Sequence, residues 1–278
     1  MIRRNAHKYS ISAQCQILGI SRGSYYYEVK PPKDEKPIEE AVQTAFEENR
    51  SIYGSRKLKK VLGNKGITLS RRKICYIMKR RGLEAAYTRR KYRNHNKKIN
   101  ESPVPNLLDR QFNEQERLAV VVSDLSYVRV GQKWHYVCIL LDLHNREIIG
   151  YSSGSHKDAA LVRAAFTSVK FNLARIQMFH TDRGSEFDNM LIDELLDVFN
   201  INRSLSLKGC PYDNAVAEAT FKLIKTEFIQ RRFFVSSEQL ALELADYVHW
   251  FNYVRLHGAL GYISPVDFRT NTLSFLYK

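Results

Sequence analysis

Cysteine is scarce and poorly placed for structural chemistry. Only Cys15, Cys75, Cys138 and Cys210 occur in 278 residues, with no CxxC pair and no short Cys–His spacing. That spacing argues against a zinc module and a disulfide framework, and the four read as free thiols of a reducing compartment. Long apolar runs are missing as well. The longest, such as Tyr136 to Leu141, fall far below the ~18 residues that suggest a spanning helix, and Arg3 and Arg4 are followed by polar residues rather than an apolar leader. The expected setting is the cytoplasm, with no membrane partner. Acidic residues are short in one region only. Residues 1–100 hold 8 Asp/Glu against 25 Lys/Arg, whereas residues 101–278 hold 21 against 19. The net charge of +15 therefore belongs to the N-terminal third, which would meet a polyanion, nucleic acid first. What is present in quantity, 44% hydrophobic and 12% aromatic residues, excludes a disordered chain and suffices for one large core with a smaller module or two.

The N-terminal part reads as helical modules. Ala13 to Tyr27 gives a short helix, a turn at Leu18-Gly19-Ile20 and a second helix capped by Ser21, which is helix-turn-helix grammar. Val29 to Pro37 is a charged, proline-rich linker. Ile38 to Asn49 forms an amphipathic helix with Ile38, Val42, Ala45 and Phe46 on one face. A helix over Arg56 to Asn64 follows, and Ser70 caps another over Arg71 to Arg81, ending at Gly82. On that last helix Ile74, Ile77 and Met78 share one stripe while Arg71, Arg72 and Lys79 point elsewhere. A solvated basic face is one reading; a helix neutralising DNA phosphates is the sharper one. From 86 to 105 a basic tract interleaved with tyrosines, including Arg89, Arg90 and Lys91, reads as an extended arm following nucleic acid. The expected division is a helix-turn-helix-like segment over 1–32, a helix-turn-helix DNA-binding domain over 38–85, a basic linker over 86–112 and a larger core over 113–278.

Beyond residue 116 the pattern changes to strands. Leu118–Val130, Lys133–Leu143 and Glu147–Gly154, with turns at Gly131-Gln132 and His144-Asn145, predict an antiparallel meander. A helix (Lys157–Asn172), a strand (Ile176–Thr181), a helix (Asn189–Phe199), a short strand (Ile201–Leu205) and a long helix (Asp213–Arg232) follow. The order β-β-β-α-β-α-β-α predicts an α/β mixed sheet with flanking helices.

Three carboxylates stand out in that frame. Asp124 falls within an apolar, central-looking strand, where a charge needs a compensating partner. Asp182 ends the fourth strand before a glycine turn, and strand ends are where ligands collect. Glu218 lies one turn into the long helix, whose core stripe is Ala217, Phe221, Ile224 and Phe228. Glu218, Lys222 and Lys225 follow i, i+4, i+7 on another face; a Glu–Lys pair alone accounts for this at a few tenths of a kcal/mol. Two Asp on neighbouring strands and a Glu on a helix are also what a two-metal phosphoryl-transfer site needs, because hard cations prefer carboxylate oxygen.

The spacing Asp124, 57 residues, Asp182, 35 residues, Glu218, with Lys225 seven positions on, resembles the DDE core of retroviral integrases and many transposases. The segments Tyr53-Gly-Ser-Arg56, His180-Thr-Asp-Arg-Gly-Ser185, Gly209-Cys-Pro-Tyr-Asp-Asn-Ala215 and Tyr247 to Pro265 more closely resemble the second-frame (OrfB) transposase of the bacterial IS-three family of insertion sequences. The resemblance spans nearly the whole chain. It implies a ribonuclease H-like fold in which Asp124, Asp182 and Glu218 hold two Mg²⁺ or Mn²⁺ ions, with Lys225 and Lys222 on DNA. It implies cleavage at the element's ends, attack of the freed 3′-OH on another phosphodiester, and no covalent protein intermediate. The implied partners are double-stranded DNA of the terminal repeats and the target, further copies of the chain as a dimer or larger assembly, and the upstream-frame product (OrfA), with action at the bacterial nucleoid. Two positions depart from the pattern: Val120-Val-Val-Ser stands where the family often has a Trp or another large residue, and Arg183 where it often has Gln.

Two rival functions remain at this point, a ribonuclease H-type nuclease and a non-catalytic DNA-binding repressor or decayed transposase. Other residues carry structural expectations: His180 as a hydrogen-bonded core histidine, Asp142 as a turn residue, Asp213 and Asn214 as caps of the Glu218 helix, and Trp250, Phe251, Tyr253 and His257 as packing against the core.

Overall fold

The computed structural model describes residues 2–28, 35–86, 104–113, 115–207 and 210–276, which group into two compact units, Met1–Ala41 and Val42–Lys278. The first unit holds α1 (Ile2–Asn5), α2 (Ile11–Ile17) and α3 (Arg22–Tyr26); Ser21 Oγ caps α3 by accepting from Ser24 N–H and Gly19 turns the chain at φ +64°, both as expected, while Ser10 Oγ caps α2 by accepting from Ala13 N–H. The helix α4 (Lys36–Glu48) runs across the division between the units.

In the second unit α4 ends where Arg50 and Ser51 take left-handed backbone, and α5 (Ser55–Asn64) and α6 (Arg71–Arg80) follow. Ser70 Oγ caps α6 by accepting from Lys73 N–H. Val42, Ala45 and Phe46 on α4 and Ile74, Ile77 and Met78 on α6 are buried, as their stripes predict, while Ile38 is half-buried; Leu58 and Leu62 on α5 are buried as well.

The sheet follows the expected order. β1 (Val120–Val130), β2 (Lys133–Asp142) and β3 (Ile148–Gly154) form the antiparallel meander; β4 (Met178–Thr181) and β5 (Asn202–Leu205) add parallel strands on the other side of β1. The order β3-β2-β1-β4-β5 makes β1 central, so Asp124 does stand in a central strand. α7 (Ala159–Thr167) and α8 (Met190–Val198) cover the face that carries Val121, Cys138, Leu140 and Phe179, with Phe166 and Phe179 edge to face at 4.9 Å. α7 lies so close to β3 that a Cβ on Gly150 would stand 2.6 Å from Ala165 O, so only glycine fits there.

Three more helices complete the second unit: α9 (Ala215–Glu227), α10 (Ser237–Tyr253) and α11 (Pro265–Leu276). Two expected helices are shorter than their sequence pattern. α7 stops at Thr167, since Ser168 caps it. The single helix foreseen over Asp213–Arg232 is three pieces, a 3₁₀ turn at Pro211–Asn214, α9, and a second 3₁₀ turn at Ile229–Arg231. The break falls at Phe228, whose ring is buried between Phe234 at 5.4 Å and Tyr247 at 4.9 Å, so tertiary packing overrides continued helix. No helix among the described residues is long and apolar enough to cross a membrane.

Candidate active site

The parallel ladder of β1 and β4 pairs Val120 with Met178, Val121 with Phe179 and Val122 with His180, and there it ends. Asp124 and Asp182 each lie two residues further on, and with side chains alternating along a strand each shares the face of the pair that closes the ladder. That face is the one opposite α7 and α8, because Val121 and Phe179 point the other way into their core. Asp124 Oδ1 accepts from Leu125 N–H at 2.8 Å and Asp182 Oδ1 from Gly184 N–H at 3.1 Å, and both side chains are half-buried.

His180 fixes what comes next to this face. Its Nε2–H donates to Asp213 O at 3.0 Å, which sets the tautomer, and its Nδ1 faces Ser204 Oγ at 2.8 Å. With both nitrogens engaged and the ring fully buried, burial pulls its pKa down to about 4. It is the structural histidine the sequence suggested. The bond to Asp213 ties β4 to the entry of α9, and Asn214 Nδ2 donates to Ser123 O at 3.4 Å. Asn214 occupies the N-cap position of α9 as expected, but neither its side chain nor that of Asp213 makes a capping bond. Asp213 instead accepts from Arg110 Nε at 2.7 Å and Leu207 N–H at 2.9 Å, drawing the end of the linker onto the site. The Arg110 guanidinium, with Leu207 N–H, holds the Asp213 carboxyl below the usual range against the opposing effect of burial.

Arg183, at the position where the family pattern has Gln, donates through Nε to Ser206 O at 2.8 Å and through its terminal nitrogen to Val104 O at 3.1 Å. It fastens the linker end beside Asp182. Asp142 behaves as the turn residue expected: it accepts from Leu118 N–H and His144 N–H, and burial raises its pKa.

Glu218 is exposed on the first turn of α9, with Lys222 exposed and Lys225 half-buried further along; Lys225 Nζ sits 5.4 Å from the centre of the Tyr127 ring. The structure thus brings Asp124 and Asp182 to matching positions and sets α9 beside that face. Among the described residues, however, no three His, Cys, Asp or Glu side chains are close enough together to hold an ion. Arg71, Arg72 and Lys79 are exposed on α6, clear of the buried Ile74, Ile77 and Met78. Arg89, Arg90 and Lys91 lie outside the described residues. The four cysteines are free, as expected, with Cys15 and Cys138 buried.

Residues 114–211 and 218–273 match two integrase core domain families, and residues 32–92 match an HTH-like domain. The chain is 30% identical over 234 residues to the transposase for insertion sequence element IS904 of Lactococcus lactis, covering 83% of this chain and 92% of that one. It belongs to the IS-three family of transposases. The transposase is also 27% identical to transposase InsF for insertion sequence IS3A of Escherichia coli, over 98% of both chains. Among solved structures, the catalytic core domain of BIV integrase aligns with a TM-score of 0.42 and 14% identity over 58% of this chain and 99% of that chain. As a member of its family the protein is a DDE transposase, a polynucleotidyl transferase with an integrase core.

Sequence reasoning missed one feature of this transposase. Glu227 on α9 and Arg255 after α10 form a buried two-pronged ion pair, with bonds of 2.6 and 2.7 Å, and Tyr247 Oη adds a third bond to Glu227. Next to it Tyr53 Oη accepts from Leu256 N–H at 2.8 Å, and the Lys57 ammonium sits over the Tyr53 ring, its pKa pulled down to about 7 by burial and by Arg255. Tyr53 and Arg255 lie in two of the segments that resemble the family, so the signal was in the sequence, but their meeting across about 200 residues was not. Tyr253, taken as a packing residue, is exposed, whereas Trp250, Phe251 and His257 are buried.

Proposed function

We propose that Asp124, Asp182 and Glu218 are the catalytic carboxylates of this transposase and hold two Mg²⁺ or Mn²⁺ ions between them. The observation that carries the reading is the shared register of Asp124 and Asp182 beyond the Val122–His180 pair, with the Glu218 helix tied to the same face through His180 and Asp213. The donors are carboxylate oxygens throughout, which suits hard cations, and His180 has no nitrogen left over for one. Divalent ions there would supply positive charge to the attacking and leaving oxygens of an in-line displacement. Glu218 would complete the set from the first turn of α9.

In this reading the first step breaks a phosphodiester at the element's end: a water oxygen attacks phosphorus and the 3′-oxygen leaves, taking up a proton. In the second, that 3′-OH attacks a target phosphodiester, forming a new P–O bond and releasing the target strand's 3′-oxygen. Lys225 and Lys222 would hold DNA phosphates beside the carboxylates. The helical domain over 38–85, with Arg71, Arg72 and Lys79 on α6, would grip the terminal repeat, and the linker over 86–112, with Arg89, Arg90 and Lys91, would follow the backbone into the core over 113–278. The segment over 1–32 would add a further DNA contact. Joining two ends calls for at least a dimer on DNA, and the upstream-frame product is the proposed partner, at the nucleoid. The test is strand transfer on labelled terminal-repeat DNA with Mg²⁺ or Mn²⁺, comparing wild type with Glu218→Gln. Product made by the wild type and lost in the variant supports the reading; equal product from both refutes the role of Glu218.

A further inference from the structure

The β1–β2 hairpin projects beyond the helices that cover its inner part. Leu125 packs against the α7 core, whereas Tyr127 and Arg129, two and four residues further on, and Trp134, the partner of Arg129 across the hairpin, are exposed at its outer end, where α9 reaches Tyr127 through Lys225. Tyr127 and Trp134 are 51% and 52% exposed. Opposite them the chain leaving α9 is pinned to the hairpin, since Phe234 bridges Val130 and its carbonyl accepts from Gly131 N–H at 2.8 Å. That leaves the neighbouring Phe233 71% exposed at the mouth of a cleft of about 250 Å³. Lys225, Arg129 and Arg232 line it too; no carboxylate lines it among the described residues, although Arg232 is ion-paired with Glu243 just outside it.

We infer that this cleft is a stacking site for an unpaired base of the DNA substrate, an assignment that rests on the proposed function and adds a binding subsite to it. Aromatic faces combined with cations bind bases irrespective of sequence, the rings by stacking and the cations through the adjoining phosphates. The volume lies just below the range of pockets for drug-sized ligands, which suits one planar ring. A cross-strand ring pair is sufficient reason for Tyr127 and Trp134 to touch, at 5.3 Å and 89°. Arg232 is accounted for by its ion pair with Glu243, and Arg129 by the Trp134 ring it lies over, but neither gives a reason for Phe233 to face the same space or for Lys225 to reach the Tyr127 ring from α9. Lys225 joins the cleft to the carboxylates, because it lies two turns from Glu218 on α9 and rests over the Tyr127 ring. A strand end released by cleavage, or a base displaced at the junction, would be held within reach of the reacting phosphates.

The test uses tryptophan fluorescence of the full chain. There are two tryptophans, and Trp250 is only 5% exposed, so Trp134 reports on solvent-borne ligands. Titration in EDTA with a short oligothymidylate, and with a blunt duplex carrying a single-stranded overhang, should quench Trp134. The same overhang made of abasic nucleotides should not, while anisotropy shows both duplexes bound. Trp134→Ala and Phe233→Ala should each weaken oligothymidylate binding about tenfold or more and leave blunt-duplex binding within about twofold. Equal quenching by abasic and base-bearing overhangs overturns the inference, as does oligothymidylate binding that survives both substitutions. A cleft that instead docks a second copy of the chain would show a mass that falls to monomer in Trp134→Ala with no quenching by any oligonucleotide, and that too overturns it. Because the readout needs no metal and no strand transfer, it fails or succeeds separately from the carboxylate assignment.

Discussion

Asp124 on β1 and Asp182 after β4 occupy the same step of two parallel neighbours, each two residues beyond the Val122–His180 pair that closes their ladder. The register of the paired residues that lead to them sets this: sliding either strand by one residue would turn its whole buried set to the opposite face. The placement of the carboxylates is therefore a consequence of core packing by Val121, Phe179 and their neighbours.

The Glu227–Arg255 pair is expected to behave as a buried, mutually dependent unit. Arg255→Met leaves Glu227 charged and enclosed and should cost about 3–5 kcal/mol in denaturant unfolding. Adding Glu227→Met to that variant should recover a substantial part of the loss. Additive losses would contradict the mutual dependence.

His180 gives the stability a defined pH dependence. Its folded pKa is lowered from 6.5 to about 4, so the unfolded chain takes up a proton first. The stability present above pH 6.5 is lost as pH falls toward 4, on the order of 2–3 kcal/mol. Buried His257, lowered to about 2 by burial and by Arg255, adds loss of the same sign. Melting curves between pH 7 and 4 should show the decline, and His180→Gln should flatten part of it.

Gly150 is a packing requirement of the α7–β3 contact. Since a Cβ there would meet backbone at Ala165 O, Gly150→Ala should destabilise by about 1–3 kcal/mol, whereas Gly63→Ala on α5, with open space around it, should be neutral or slightly stabilising. Thermal unfolding of the two variants side by side checks this.

If α6 contacts phosphates, replacing Arg71, Arg72 and Lys79 together by Ala should weaken binding to terminal-repeat and unrelated duplexes alike and lower the slope of log affinity against log salt by about 2–3. An unchanged slope would return these residues to a solvated face.

The fold was legible where pattern and turn chemistry agreed. The period-2 runs around Gly131-Gln132 gave the meander, and Ser21 and Ser70 marked helix starts that the structure keeps. Local signals failed where distant contacts decide. The helix over 213–232 breaks because Phe228 packs on Phe234 and Tyr247, and Asp213 leaves its capping role because Arg110, 103 residues away, takes its carboxylate. The candidate site divides the same way: spacing and family motifs pointed to Asp124, Asp182 and Glu218, whereas the cleft of Tyr127, Trp134 and Phe233 exists only once the chain after α9 returns to the hairpin.

The most direct test compares Asp182→Asn with wild type in strand transfer on terminal-repeat DNA and in binding to the same DNA. The account predicts product reduced at least a hundredfold with the dissociation constant within about threefold of wild type. Product above a tenth of the wild-type level, with binding intact, would contradict it.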